Sequence, residues 1–188
     1  MTTTAVLLDI EGTTTSISFV FDVLFPYAAK HLADFLASHG HEAAVQTACA
    51  AVRQDALPDE KALPPDQQVL AIVRRQMAGD VKASGLKQLQ GLIWQHGYES
   101  GAIKGHVYDD VPVCFSTWRQ QGRPIAIYSS GSVLAQKLLF RHSTAGDLSG
   151  SLVAHYDTSS GAKREASSYA TIASTWGRAP DTITFCTD

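Results

Sequence analysis

Four stretches of the chain carry side chains able to do chemistry: Asp9-Ile10-Glu11-Gly12-Thr13, Ser129-Ser130-Gly131, Lys163 and Asp188. Their types share one theme, being carboxylates, hydroxyls and a single ammonium group. Metal-assisted phosphoryl transfer needs that set. Phosphate monoesters hydrolyse so slowly in water that a catalyst must remove roughly 20 kcal/mol or more of the barrier. Little of this comes from new covalent bonding, because the transition state is loose and its charge sits on the equatorial oxygens. Fixed cations and donors must therefore supply most of it. Mg²⁺ with oxygen ligands from Asp9 and Asp188 would neutralise the phosphate and orient Asp9 for in-line attack. Asp9 would then carry an aspartyl-phosphate intermediate. Glu11, two residues on along the same side of an extended chain, is placed to protonate the leaving oxygen and then activate water. Ser129, Ser130 and nearby amides would bind phosphate oxygens, and Lys163 would hold Asp9 and the phosphoryl group together by charge.

The elements needed to bring these groups together can be read from apolar patterning. Thr4-Ala5-Val6-Leu7-Leu8 is apolar on both faces, as in a buried parallel strand, and stops at Asp9. From Phe19 to about His39 the spacing of Leu24, Ala28, Leu32 and Leu36 predicts a helix, with Gly40 as its stop. Further helices are expected over 43–55, 66–77 and 81–97, with Pro58, Pro64 and Pro65 marking a loop. Beyond Gly105 the pattern alternates. A helix over 111–121 with Pro112 in its first turn is followed by a strand over 125–128 and a helix over 132–142. A strand at 152–156, a helix at 166–176 and a strand at 182–186 complete the series. Strand, helical block, then strands alternating with helices predict an α/β fold, a Rossmann-like parallel sheet with an inserted α-helical subdomain. Ligands of such sheets gather outside the carboxyl ends of the strands, where Asp9, Glu11, Ser129, Ser130, Lys163 and Asp188 fall.

Composition narrows the field without choosing a function. The chain has 188 residues, 45% hydrophobic and 18% charged, as in ordinary globular proteins. A net charge of -3 with only short basic spots, Arg74-Arg75 and Lys163-Arg164, argues against a nucleic-acid partner. Cys49, Cys114 and Cys186 lie far apart with no CxxC pair, so reduced thiols and a cytoplasmic setting are expected. No run reaches the roughly 20 apolar residues of a membrane span, and the N-terminus lacks a signal-peptide pattern. The histidines show no paired metal spacing, and Trp94, Trp118 and Trp176 are expected in the core.

Asp9-Ile10-Glu11-Gly12-Thr13 resembles the first motif of the haloacid dehalogenase superfamily, with Glu11 where many members have Asp. The longer segments LLDIEGTTTSISFVFDVLFPY, LKQLQGLIW, IYSSGSVLAQKLLF, HSTAGDLSG and HYDT, with Thr184-Phe185-Cys186-Thr187-Asp188, resemble the enolase-phosphatase family of methionine salvage. This resemblance implies a bifunctional enzyme that enolises 2,3-diketo-5-methylthiopentyl-1-phosphate. It then removes phosphate to give the acireductone 1,2-dihydroxy-5-methylthiopent-1-en-3-one. It further implies Mg²⁺ as cofactor, held at Asp9, Glu11 and Asp188. Asp9, Glu11 and Lys163 would be catalytic, and Ser129, Ser130 and Lys163 would contact substrate. Residues 1–14 and 105–188 would form the haloacid dehalogenase-like core and 15–104 a helical cap, from which Lys87, Gln88 and Gln90 would project toward the methylthio ketone. A monomer without nucleic-acid or membrane partners is expected. The family continues with an acidic helix and at least one strand past the position of Asp188, so a C-terminally shortened chain is expected. Two alternatives stay open: a phosphatase of the same superfamily for another small phosphate ester, and an inactive binding protein.

Overall fold

In the computed structural model, which describes residues 4–188, the four expected strands form as β1 Ala5–Leu8, β2 Ile125–Tyr128, β3 Leu152–Tyr156 and β4 Ile183–Cys186. They build one wholly parallel sheet in the order β3-β2-β1-β4. The helices are α1 Phe25–His39, α2 Ala43–Gln54, α3 Pro58–Lys61, α4 Pro65–Ala78, α5 Ser84–Glu99, α6 Val111–Gln120, α7 Val133–Arg141 and α8 Ala166–Trp176. The fold is thus α/β and Rossmann-like. The two central strands, β1 and β2, are buried along their whole length, which is why they read as unbroken apolar runs. The outer strands are only partly covered, and Val153 in β3 stands 60% exposed.

The chain divides into two compact units, Met1–Val20 with Tyr98–Asp188, and Phe21–Gly97. The helical unit begins and ends inside the 15–104 span expected for the insertion. In the sheet unit, Leu7, Ala126, Tyr128, Tyr156 and Ile172 form a buried cluster, with Tyr169, Trp176 and Phe185 packed against it. Helix α8 therefore covers one face of the sheet. Helix α6 packs on β2 and α7 on β3. Burying these side chains supplies roughly 1.5–3 kcal/mol each.

The helices from Phe19 onward depart from expectation in four places, each with a local cause. The predicted helix from Phe19 is split, since Phe19–Leu24 winds as a π-helix before α1 begins. Pro26 has no N–H for the bond back to Asp22, so the regular ladder cannot run through this point. Within α1 the buried stripe is Ala28, Leu32 and Phe35, and Leu36 is only partly covered. A strict four-residue spacing drifts off a helix face of 3.6 residues per turn, and Phe35 takes the place expected for Leu36. The expected loop at Pro58 contains the single turn α3. Pro58 opens it, and the Glu60 carboxylate accepts the Leu57 N–H at 2.8 Å. Glu60 is also gripped by Arg75 at 2.7 Å, and that hydrogen bond foremost holds its carboxyl below the usual range. Helix α5 starts at Ser84 rather than Val81 because the Val81 N–H turns back to the Gln76 carbonyl at 2.9 Å.

The three cysteines are free thiols. Among the described residues no helix is long and apolar enough to cross a membrane.

Candidate active site

Strand register decides which chain ends meet. Leu8 pairs with Ile127 on one side and with Cys186 on the other, so Asp9 leaves the sheet level with Thr187. The Asp9 N–H donates to the Cys186 carbonyl at 3.0 Å, carrying the ladder one residue past β1. Asp9 is 4% exposed, a buried carboxylate that needs partners. Its Oδ1 accepts the Ile10 N–H at 2.7 Å and is ion-paired with Lys163 Nζ. Its Oδ2 accepts the Thr187 hydroxyl at 3.0 Å.

After Asp9 the chain curls tightly. The amides of Thr13, Thr14 and Thr15 all donate to the Ile10 carbonyl, at 3.1, 2.9 and 3.0 Å. Gly12 makes the curl possible with a φ of +81°, a conformation L side chains rarely adopt. A second reason also demands glycine there. A Cβ at position 12 would lie 2.5 Å from Asp188 Oδ2, so the Asp188 carboxylate rests directly on this loop. His106 secures the loop's exit. Its Nδ1 accepts the Ser16 N–H at 3.1 Å and the Thr15 hydroxyl at 3.0 Å, which leaves the ring proton on Nε2.

The Glu11 carboxylate faces β2. Ser129, fully buried, donates its hydroxyl to both Glu11 oxygens, at 3.2 and 3.0 Å, and accepts the Gly131 N–H at 3.1 Å. Ser130, next in line, is exposed. Helix α7 begins immediately after, capped by the Ser132 hydroxyl, which accepts the Ala135 N–H. The Val133 N–H faces Asp157 Oδ2 at 3.4 Å, and the positive end of the α7 dipole lies beside the Ser129–Gly131 turn, a setting that favours anions. Asp9, Glu11, Ser129, Lys163 and Asp188 therefore gather at one end of the sheet, with Ser130 at its rim. Lys87, Gln88 and Gln90 sit on α5, where Gln90 is buried and Gln88 exposed.

Two contributors escaped the sequence reading. Thr187 was visible only as part of a motif, yet it anchors Asp9 Oδ2. Gln136, 1% exposed, is the other. Its amide donates to the Gly131 carbonyl at 2.9 Å and to the Tyr156 carbonyl at 2.8 Å, tying the Ser129–Gly131 turn to β3. Its oxygen faces His155 Nδ1 at 3.2 Å, so the His155 proton sits on Nδ1. Burial foremost, then the Lys137 charge, pushes the His155 pKa down to about 4. The folded chain therefore keeps His155 neutral, whereas an unfolded chain protonates it near the ordinary value of about 6.5. Between those values the unfolded state binds more protons, so stability falls as pH is lowered from about 6.5 toward 4. The urea midpoint is expected to fall across this window, and less steeply in His155→Asn. Equal slopes in the two proteins would remove His155 as the source.

The donor set can be weighed against Mg²⁺. Among the described residues no three His, Cys, Asp or Glu side chains form a metal-holding group. Glu11 is turned to the Ser129 hydroxyl, leaving Asp9 and the Asp188 carboxylate against Gly12 as the acids available to an ion. Two carboxylates suit Mg²⁺, which keeps several waters and takes substrate phosphate oxygens in place of further protein ligands. The residues present fit the ion.

Comparison with known proteins identifies the family. The family model for haloacid dehalogenase-like hydrolases matches residues 3–186. An enolase-phosphatase E1 of Pseudomonas syringae pv. tomato is 49% identical over 185 residues, covering 98% of this chain and 80% of that protein. Its counterpart in Anopheles gambiae is 48% identical, over 98% of this chain and 67% of that one. Among solved structures, the UTR4 protein of Saccharomyces cerevisiae superimposes with a TM-score of 0.80 at 34% identity, covering 97% of this chain and 80% of that one. With an aspartate at the end of the first strand, a lysine paired to it and a relative sharing half its residues, the chain belongs to the haloacid dehalogenase-like hydrolases, in their enolase-phosphatase E1 family.

Proposed function

We infer that this chain enolises 2,3-diketo-5-methylthiopentyl-1-phosphate and then dephosphorylates it to the acireductone. The observation that carries the reading is the Asp9–Lys163 ion pair at the carboxyl end of β1, with Glu11 two residues away. Asp9 is the nucleophile. The Ile10 amide and the Thr187 hydroxyl hold its carboxylate still, so little reorganisation precedes attack on phosphorus. Lys163 offsets charge that would otherwise repel the incoming phosphate. Ser129, Ser130 and nearby backbone amides receive the phosphate oxygens. In the first step Glu11 takes a proton from the carbon beside the carbonyl. In the second it returns a proton to the leaving oxygen, and it then activates the water that cleaves the aspartyl-phosphate. Magnesium bound by Asp9 and Asp188 would supply positive charge for the phosphate oxygens and the enolate. The inserted helices, residues 15–104 by sequence, serve as a cap that excludes water during turnover. A freely diffusing monomer acting on this small phosphorylated diketone in the cytoplasm is the setting the reading assumes.

Two measurements test it. Given the phosphorylated diketone, the chain should release inorganic phosphate and the ultraviolet-absorbing enediol. Comparable turnover of sugar phosphates would defeat the substrate assignment. Separately, Mg²⁺ at a hundredfold excess over its Kd should raise thermal stability by about 2.7 kcal/mol. In Gly12→Ala the added methyl would push the Asp188 carboxylate aside. That variant should bind Mg²⁺ about tenfold more weakly, as when the groups that support metal ligands are altered. An equal magnesium shift in the two proteins would place the ion elsewhere.

A further inference from the structure

Lys163 comes from an exposed loop, between the 3₁₀ turn Thr158–Ser160 and α8, yet its ammonium must meet Asp9 each time substrate arrives. A lysine side chain has four rotatable bonds, and a loop backbone adds more freedom. The structure removes that freedom in an uncommon way. Three successive carbonyls, those of Gly161, Ala162 and Lys163, each accept a side-chain hydroxyl. Tyr128 donates to Gly161 at 2.8 Å, Ser168 to Ala162 at 2.8 Å and Tyr169 to Lys163 at 2.7 Å. Loop carbonyls ordinarily face water, so three consecutive side-chain donors mark a segment whose peptide planes are individually held.

The donors stand on rigid ground. Tyr128 is the last residue of β2 and 1% exposed, and Ser168, also 1% exposed, lies in the first turn of α8 beside Tyr169. The Tyr128 and Tyr169 rings meet edge to face at 5.7 Å, and Tyr169 packs against Phe185 of β4 at 5.4 Å. Gly161 has a φ of +114°, and a Cβ there would overlap the Ser168 hydroxyl, its carbon lying 3.0 Å from Ser168 Cβ. The close approach of α8 to the loop therefore requires glycine. Burial foremost, then Tyr128 and the Asp9 charge, raises the proton affinity of Tyr169, so its hydroxyl stays a donor.

We propose that the hydroxyls of Tyr128, Ser168 and Tyr169 form a brace that positions Lys163 on Asp9, with Tyr169 the positioning residue on which the lysine's share of turnover depends. The proposal rests on the function inferred above for Asp9 and Lys163. Tyr169 touches no reacting atom in this scheme and acts only through the Lys163 carbonyl. The brace ties residues from β2, the loop and α8 into one body. Motion of α8 against the sheet would therefore carry Lys163 with it.

Tyr169→Phe tests this cleanly, because the ring and its packing stay and one hydroxyl goes. On the phosphorylated diketone, kcat should fall about tenfold, since a small misplacement of a positioned charge is costly, while KM stays within about twofold. Thr171→Val, which removes an exposed hydroxyl on the same helix, should leave both constants unchanged. A second readout needs no turnover. Competitive acetylation with acetic anhydride, followed by mass spectrometry, should label Lys163 about threefold faster in Tyr169→Phe, as its ammonium spends less time against Asp9. Lys137 labelling should not change. Tyr128→Phe, acting two residues upstream, should move Lys163 labelling in the same direction. Unchanged Lys163 labelling in both variants, or an unchanged kcat in Tyr169→Phe, overturns the brace. If the native chain fails to turn over the diketone while labelling responds as expected, the brace stands and the functional reading falls.

Discussion

Asp9→Asn is expected to lower the rate of phosphate release by about 10⁶-fold, as when a covalent nucleophile is removed. The substitution keeps the size of the side chain while weakening its hold on magnesium and on Lys163. An asparagine at this position has the same shape and still offers an oxygen to the Ile10 amide or the Thr187 hydroxyl. It cannot attack phosphorus, and it cannot pair with Lys163. The ammonium left behind is 30% exposed and can turn to water, so the fold should survive the change. The substrate's proton chemistry should be slowed but not lost, since the base Glu11 is untouched and Asp188 still offers magnesium a carboxylate beside the enolate. Asp9→Asn is therefore expected to separate the two half-reactions. Incubated with substrate, it should accumulate the enol phosphate, visible as ultraviolet absorbance without inorganic phosphate in ³¹P spectra. Phosphate release at even a tenth of the native rate would exclude Asp9 as the nucleophile.

Glu11→Gln should lower both half-reactions, each by about 10²–10³-fold, as expected for loss of a general acid–base group. The amide keeps the length of the side chain and can still accept the Ser129 hydroxyl, so any loss reports the proton and not the packing. Solvent deuterium exchange at the carbon bearing the phosphate isolates the first step, and phosphate release reports the second. Were exchange to continue at the native rate while phosphate release stopped, another group would be the base of enolisation. The two substitutions also differ in a way that protects the argument. Asp9→Asn is expected to leave the enol step standing, whereas Glu11→Gln is expected to take both away. The opposite pattern would interchange their roles.

Much of the sheet was legible because its signals are local. A strand buried on both faces must be apolar at every position, and Val6-Leu7-Leu8 and Ile125-Ala126-Ile127 show this without any partner in view. The stop at Asp9 and the glycine that ends α1, Gly40, are equally local, since each depends on residues within one turn. The reading failed where one nearby residue overruled the apolar spacing. The helix expected from Phe19 kept its span but wound as a π-helix ahead of Pro26, Phe35 displaced Leu36 from the buried stripe, and Glu60 organised a turn within an apparent loop.

The candidate site divides along the same line. The residue types at positions 9, 11, 129, 163 and 188 were enough to name oxygen-ligand metal and phosphoryl chemistry, because donor type follows from the side chain alone. Which atom faces which could not be read that way. Asp9 and Thr187 are 178 positions apart, and the hydroxyl reaches the carboxylate only because β1 and β4 pair with Leu8 opposite Cys186. Glu11 turned to Ser129, and three hydroxyls from β2 and α8 came to rest on the carbonyls of Gly161, Ala162 and Lys163. A one-residue slip in strand register would have sent these side chains to the opposite face of the sheet. Chemical identity belongs to single residues, whereas convergence depends on long-range pairing that no stretch of chain specifies alone.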